Sequence, residues 1–266
     1  MNRIAGGVWA FLLLPAAQDR VKVEDLVELR AEAAADAAVA GRPLPVALEL
    51  RIRPGWHVYW RNPGSSGMAP EIELRLPEGF RAGPVRWPRP RRFGPAREPV
   101  YGYEGRAVFF VSVVPPEGRP ADLADLEVHV TAMVCKEACL LGTFRARVAP
   151  PAAGNAARWA ADLEALPRPL SEAAGVRAEW REGTLTVSGP AGRFREVRFF
   201  PDERPGVRFG TPEAEIREGS FRLSVPAAVR PDETGGKPPV VAGLVALGEG
   251  DRDPSYEIQV VVSSKD

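Results

Sequence analysis

Cys135 and Cys139 are the only two cysteines among 266 residues, spaced four apart in Thr131-Ala132-Met133-Val134-Cys135-Lys136-Glu137-Ala138-Cys139. An oxidising compartment lets such a pair become a disulfide, whereas the cytosol keeps it reduced. As a staple the bond is weak, because closing a loop of about five residues is worth roughly 2 kcal/mol in the chain-entropy account. A chain of this length buries a large core without that help. The spacing therefore points to thiol–disulfide chemistry rather than to stabilisation.

Bridging the pair makes demands on the backbone. Four residues of extended strand span roughly 13 Å, yet a disulfide needs its α-carbons within about 7 Å. The chain must turn between the cysteines, and a hairpin does this by setting residues of antiparallel strands opposite one another. A single helical turn also brings residues four apart together, but the strand pattern before Cys135 favours the hairpin. Leu126, Val128, Val130, Ala132 and Val134 form one face, and Glu127, His129, Thr131, Met133 and Cys135 the other. On the return, Phe144, Ala146 and Val148 alternate with Thr143, Arg145 and Arg147. Counting back in twos puts Cys139 on the same polar face as Cys135. Both sulfurs are thus expected to leave the core on one side, within reach of a partner thiol.

The elements that carry this hairpin read as strands. Val46, Leu48, Leu50 and Ile52 alternate with Ala47, Glu49, Arg51 and Arg53, the period of a half-buried strand. Val27, Leu29, Ala31 and Ala33 alternate with Glu28, Arg30 and Glu32, although the Ala and Glu content leaves a helix open. Further strands are expected over 71–76, 107–114 and 126–134, between turn signals such as Asn62-Pro63-Gly64 and Pro77-Glu78-Gly79. With no βαβ rhythm, the fold class is all-β, an antiparallel sandwich. Pro150-Pro151 ends this block, and residues 155–166 carry helical spacing before Pro167 and Pro169 stop it. Strand signals resume at 176–180, 184–188, 196–200, 220–225, 240–247 and 256–262. The expected organisation is an export signal at 1–17, a first domain at 18–150, a helical linker at 151–170 and a smaller β-sandwich at 171–266.

Export is read from the start of the chain: Met1-Asn2-Arg3, an apolar run from Ile4 to Leu14, then Pro15-Ala16-Ala17-Gln18. A basic tip, a short apolar run and small residues make a secretory signal, and the run is shorter than the roughly 20 residues of a membrane span. A soluble periplasmic protein is expected. The charges balance at 35 basic and 35 acidic residues, which removes the electrostatic reason to expect nucleic acid or an anionic membrane. Neither a serine–histidine–acid set nor a phosphate-binding glycine loop stands out, and no cofactor is expected. A zinc site wants four ligands, and the sequence offers no convincing set.

Several motifs in order resemble a known family. Arg53-Pro54-Gly55-Trp56-His57-Val58-Tyr59-Trp60-Arg61-Asn62-Pro63-Gly64-Ser65-Ser66-Gly67 is similar to the amino-terminal periplasmic region of DsbD-type thiol–disulfide reductases, nearest to the branch associated with suppression of copper sensitivity. Gly83-Pro84-Val85-Arg86-Trp87-Pro88, Tyr101-Gly102-Tyr103-Glu104-Gly105, the cysteine segment and Arg198-Phe199-Phe200-Pro201-Asp202 follow in the family's order. The resemblance implies an immunoglobulin-like sandwich whose pair, Cys135 and Cys139, takes electrons from a polytopic membrane thiol carrier. It passes them to periplasmic thioredoxin-like or isomerase proteins. It also implies a cap over the sulfurs, here Glu98, Pro99, Val100, Tyr101 and Gly102, and a partner bond at the second cysteine. The chain departs from the branch in following Cys139 with Leu140-Leu141. It stops at Asp266, without the membrane and thioredoxin domains of full-length members, so a monomer working with separate partners at both ends is expected.

Two other readings stand beside exchange. One is an exported binding module whose disulfide is structural. The other is copper(I) binding, for which Met133, Cys135 and Cys139 offer soft ligands on one face. In the first motif Trp56 and Trp60 read as packing; the two histidines of the chain, His57 and His129, read as surface or edge histidines.

Overall fold

Period-2 alternation becomes strand almost everywhere it was read. In the computed structural model, which describes residues 21–95, 97–117, 123 and 125–262, the first sandwich runs β1 (Val27–Ala33), β2 (Leu44–Ile52), β3 (His57–Gly64), β4 (Glu71–Arg75) and β5 (Arg81–Arg86). It continues with β6 (Arg91–Phe93), β7 (Val100–Glu104), β8 (Arg106–Val114), β9 (Glu127–Cys135) and β10 (Cys139–Ala149). The expected export signal at 1–17 lies outside the described residues. The segment Val27–Ala33, where a helix had stayed open, is a strand paired along its whole length with β2.

These ten strands follow one path, β5-β8-β2-β1-β10-β9-β3-β7-β6, with β4 also on β9. Pairing is antiparallel except where β1 meets β10 in parallel at Ala31–Val148 and Glu32–Ala149. That short joint lets the sheet curl into two facing layers. Val46, Leu48 and Leu50 from one layer and Val128, Val130 and Val134 from the other share the core between them. The sheet is an immunoglobulin-like sandwich.

β2 departs from the half-buried strand its alternation suggests: Ala47 and Glu49, on the face away from that core, are also buried. The reason is helix α1 (Asn155–Glu164), which lies over this outer face with Trp159 against Ala47, Val108 and Phe110. The Trp159 ring N–H donates to Glu32 at 2.9 Å, and the Asn155 amide donates to the Ala33 carbonyl at 2.9 Å. Arg106 bridges the Glu49 carboxylate to Asp162 of the helix. The helical stretch is a lid on the first sandwich as well as a connection.

Beyond it come β11 (Arg168–Pro169), β12 (Arg177–Arg181), β13 (Thr184–Pro190), β14 (Val197–Pro201) and β15 (Val207–Phe209). Then follow β16 (Glu213–Arg217), β17 (Ser220–Val229), β18 (Val240–Leu247) and β19 (Ser255–Val261). They form two sheets, β11-β19-β18-β14 and β12-β13-β17-β15 with β16 also on β17. Leu185, Val187, Leu223, Val225, Val245 and Ile258 fill the space between them. This is the second, smaller β-sandwich.

The two sandwiches are held together by named contacts. Phe200 leaves the second sandwich to pack edge-on against Trp60 at 6.2 Å and Tyr101 at 5.4 Å between ring centroids. Arg61 grips both carboxylate oxygens of Asp202, at 2.7 and 3.3 Å, and also reaches Glu257 at 3.0 Å. The Asn62 amide donates to the Pro201 carbonyl at 2.7 Å. Arg89 is buried, and its guanidinium donates to the carbonyls of Leu247, Gly248 and Gly250. Burial, and then the nearby charge of Arg198, pull its pKa below the usual guanidinium value. Residues of three of the motifs, Trp60 to Asn62, Tyr101 and Phe200 to Asp202, thus meet at this joint.

Candidate functional site: a capped hairpin disulfide

β9 and β10 pair in register from Glu127–Arg147 up to Cys135–Cys139, so the cysteines close a hairpin whose loop is Lys136, Glu137 and Ala138. The Lys136 N–H donates to the Ala138 carbonyl at 3.1 Å inside that loop. Direct opposition sets the α-carbons 4.2 Å apart, and the sulfurs are joined at 2.02 Å. The two members differ in surroundings: Cys135 is 2% exposed, whereas Cys139 is exposed. Val128, Val130, Ala132 and Val134 take the core face, and Met133 shares the other face with the cysteines, half-buried. With both sulfurs in the bond, neither can act as a thiolate ligand to a metal in this form.

What buries Cys135 comes from β3. His57 pairs directly with Cys135, and Val58 with Val134, before the two strands part and β4 takes over beside β9. Tyr59 is 4% exposed, and its hydroxyl donates to Cys135 Sγ at 3.1 Å. The same oxygen lies 3.9 Å from Cys139 Sγ. One glycine makes room for this ring and a second for the β3 backbone that carries it. A methyl group on Gly67, where φ is +99°, would fall 2.1 Å from Tyr59 Cε1, and one on Gly102 would fall 2.1 Å from the Val58 carbonyl oxygen. His57 stands edge-on to Tyr59 at 5.2 Å and stacks on Phe93 of β6 at 5.5 Å.

The electrostatics favour a donor at the sulfur. Burial pushes the Tyr59 phenol above its ordinary value, so it keeps its proton at neutral pH. Burial also pushes the His57 imidazole down, against the opposing charge of Glu104, so the neutral ring prevails. A neutral O–H donor beside a sulfur stabilises that sulfur best when it carries negative charge. The arrangement therefore suits a pair in which Cys139 is approached from solvent and Cys135 departs as a thiolate.

The segment 98–102 forms the end of the β6–β7 hairpin, with Glu98 exposed and Pro99 and Val100 half-buried. Val100 pairs with Phe93, and Gly102 with Tyr59 and Arg91. Tyr101 does not sit over the sulfurs. Its ring turns into the core between Trp60 and Phe200, where it is 7% exposed. Trp60 is a core residue, as its strand position suggests. His129 is buried, with one ring nitrogen 3.4 Å from Glu127. Tyr59, His57 and Phe93 are the site residues that sequence reasoning did not single out. The available signal was parity: His57 and Tyr59 lie on the opposite strand face from the buried Val58 and Trp60.

Residues 26–147 match the family model described as the N-terminal part of the thiol:disulfide interchange protein DsbD. Among solved structures, the N-terminal periplasmic domain of ScsB from Proteus mirabilis superposes with a TM-score of 0.64 at 20% identity, covering 92% of this chain and 97% of that one. The reduced N-terminal domain of DsbD from Neisseria meningitidis gives a TM-score of 0.31 at 14% identity over 49% of this chain and 88% of that one. No curated protein matches the sequence. Among the described residues, no helix is long and apolar enough to cross a membrane.

Proposed function

From the match of residues 26–147 to the DsbD N-terminal family model, we infer a periplasmic thiol–disulfide exchange protein that relays electrons through Cys135 and Cys139. The family match supports thiol–disulfide exchange in general. The observation that carries the assignment of roles is the asymmetry of the pair, an exposed Cys139 against a Cys135 that is buried under the Tyr59 hydroxyl.

In the oxidised protein, a thiolate of a membrane-bound dithiol carrier attacks Cys139 Sγ. The Cys135–Cys139 bond breaks, and its electron pair leaves on Cys135 beside the Tyr59 O–H. The carrier's second thiol, giving up its proton to solvent, attacks its own sulfur in the mixed disulfide. Cys139 is released as a thiolate, and the carrier is left as a disulfide. The reduced pair then runs the same steps against an oxidised periplasmic thioredoxin-like or isomerase protein. Cys139 attacks, Cys135 resolves the mixed disulfide, and the partner leaves with two thiols. Tyr59 covers Cys135, while the 98–102 segment closes the site from the side, with Tyr101 as its anchor in the core.

Trapping tests this directly. In Cys135→Ser a mixed disulfide with a partner accumulates on Cys139, because no thiol remains to resolve it. In Cys139→Ser no such complex forms. Trapping through Cys135 instead reverses the roles, and trapping through neither leaves a structural disulfide.

A further inference from the structure

The second sandwich keeps an open strand edge toward the first. In the β14–β18 ladder, the Gly248 N–H donates to the Glu196 carbonyl at 2.8 Å and the Asp202 N–H donates to the Ala242 carbonyl at 2.9 Å. Main-chain bonds alternate along an antiparallel pair. Arg198 and Phe200 therefore turn theirs to β18, and Val197 and Phe199 turn theirs the opposite way. Among the described residues, the outward N–H and C=O groups of Val197 and Phe199 have no partner. The next outward carbonyl, that of Pro201, is taken by Asn62.

A cleft of about 1380 Å³ lies along this edge, lined by β14, β15 and, from the first sandwich, Pro99 and Tyr101. Its lining holds six arginines against four carboxylates. Asp202 and Glu196 are already gripped by Arg61, Arg204 and Arg198, whereas no ion pair engages Arg97 or Arg208 among the described residues. The Arg204 Nε is buried without a hydrogen-bond partner. An unpaired edge offers main-chain bonds to an added strand, and the surplus of guanidinium selects the charge of its side chains.

We propose that the cleft seats an extended acidic segment of the protein that exchanges with the disulfide, added as a further strand on the outer edge of β14. Identifying the occupant as the exchange partner rests on the reading above; the addition of an acidic strand does not. A second copy of this chain fits poorly, because edge-to-edge pairing would bring two arginine-lined clefts together.

The probes are two fluorescein-labelled, cysteine-free peptide pools of about eight residues, a common strand length. Glutamate alternates with Val or Thr in one pool and lysine in the other, and both are titrated against the full chain by anisotropy. The glutamate pool binds and the lysine pool does not, and affinity falls as salt rises. Both arginines to be reversed are exposed, and Arg97→Glu with Arg208→Glu weakens binding about tenfold or more. Hydrogen exchange slows at Val197 and Phe199 when the peptide is bound. Cys135→Ser binds the glutamate pool as the wild type does, and the charge-reversed protein still exchanges with glutathione at the wild-type rate, so failure of the redox reading and failure of this one are separable. Equal affinity for both pools, no binding, or no effect of charge reversal overturns the proposal. So does a concentration-dependent dimer that protects the same two amides, which would give the edge to a second copy.

Discussion

Replacing Tyr59 by Phe removes one hydroxyl and leaves a ring of the same shape against Gly67. The lost contact is the donation to Cys135 Sγ at 3.1 Å. A hydrogen bond to a neutral acceptor is worth about 0.5–1.5 kcal/mol, and one to a charged acceptor about 1.5–3 kcal/mol. Tyr59 thus favours the thiolate over the protonated thiol by about 1 kcal/mol, which is roughly a fivefold difference in thiolate population. The folded state loses only the smaller, neutral part. The assay is the rate of iodoacetamide alkylation of the reduced protein as a function of pH, with mass mapping of the modified cysteine. At pH 7 the Tyr59→Phe protein should react about fivefold more slowly wherever thiolate population limits the rate, and the gap should close at alkaline pH, where both proteins are fully ionised. Equal rates at pH 7 would refute the argument. A gap that persists unchanged into alkali would show that the hydroxyl acts on access rather than on charge.

Tyr101→Ala should cost about 3 kcal/mol in urea denaturation, because it empties a site between Trp60 and Phe200; a protein that keeps its stability and changes only thiol accessibility would place the residue over the sulfurs instead. Glu49→Gln should cost about 2 kcal/mol at pH 7, since the carboxylate accepts from Arg106 and Arg51 while 2% exposed. Burial raises the Glu49 pKa, but these two arginines outweigh it and bring the group below its ordinary value of 4.5. Its contribution is therefore present above that value and lost as pH falls below it through the folded value. The gap between wild type and Glu49→Gln should narrow in acid, and a gap of constant size from pH 7 to pH 3 would contradict this.

The hairpin was legible because its information is local. Alternation on both sides of the cysteines sets their faces, and the strand pattern before Cys135 favours a hairpin over a helical turn for a separation of four. Tyr59 was not legible, because it meets Cys135 across 76 positions of sequence, and an aromatic residue in a strand carries the same signature whether it fills a core or covers a sulfur. Glu49 illustrates a different limit. Its place in the alternation marks an outward face, but the α1 helix that buries that face comes more than a hundred residues later. The motif assigns Tyr101 to the cap, and within that segment Gly102 pairs with Tyr59. It does not reveal which way each side chain of that segment points, which the register of β7 on β3 determines.

β3 turns consecutive residues toward different partners. Tyr59 goes to the sulfurs, while Trp60, Arg61 and Asn62 go to Phe200, Asp202, Glu257 and the Pro201 carbonyl. One strand is thereby a term in two equilibria, and such terms are reciprocal. Whatever free energy reduction adds to or takes from the hold of Tyr59 on Cys135 through this strand reappears as an equal change in how firmly the two sandwiches clasp. A ligand that eases the sandwiches apart through the same strand must in turn shift the redox equilibrium of a pair it never touches. The second sandwich, which contains no cysteine, is in this sense part of what sets the redox equilibrium of the pair.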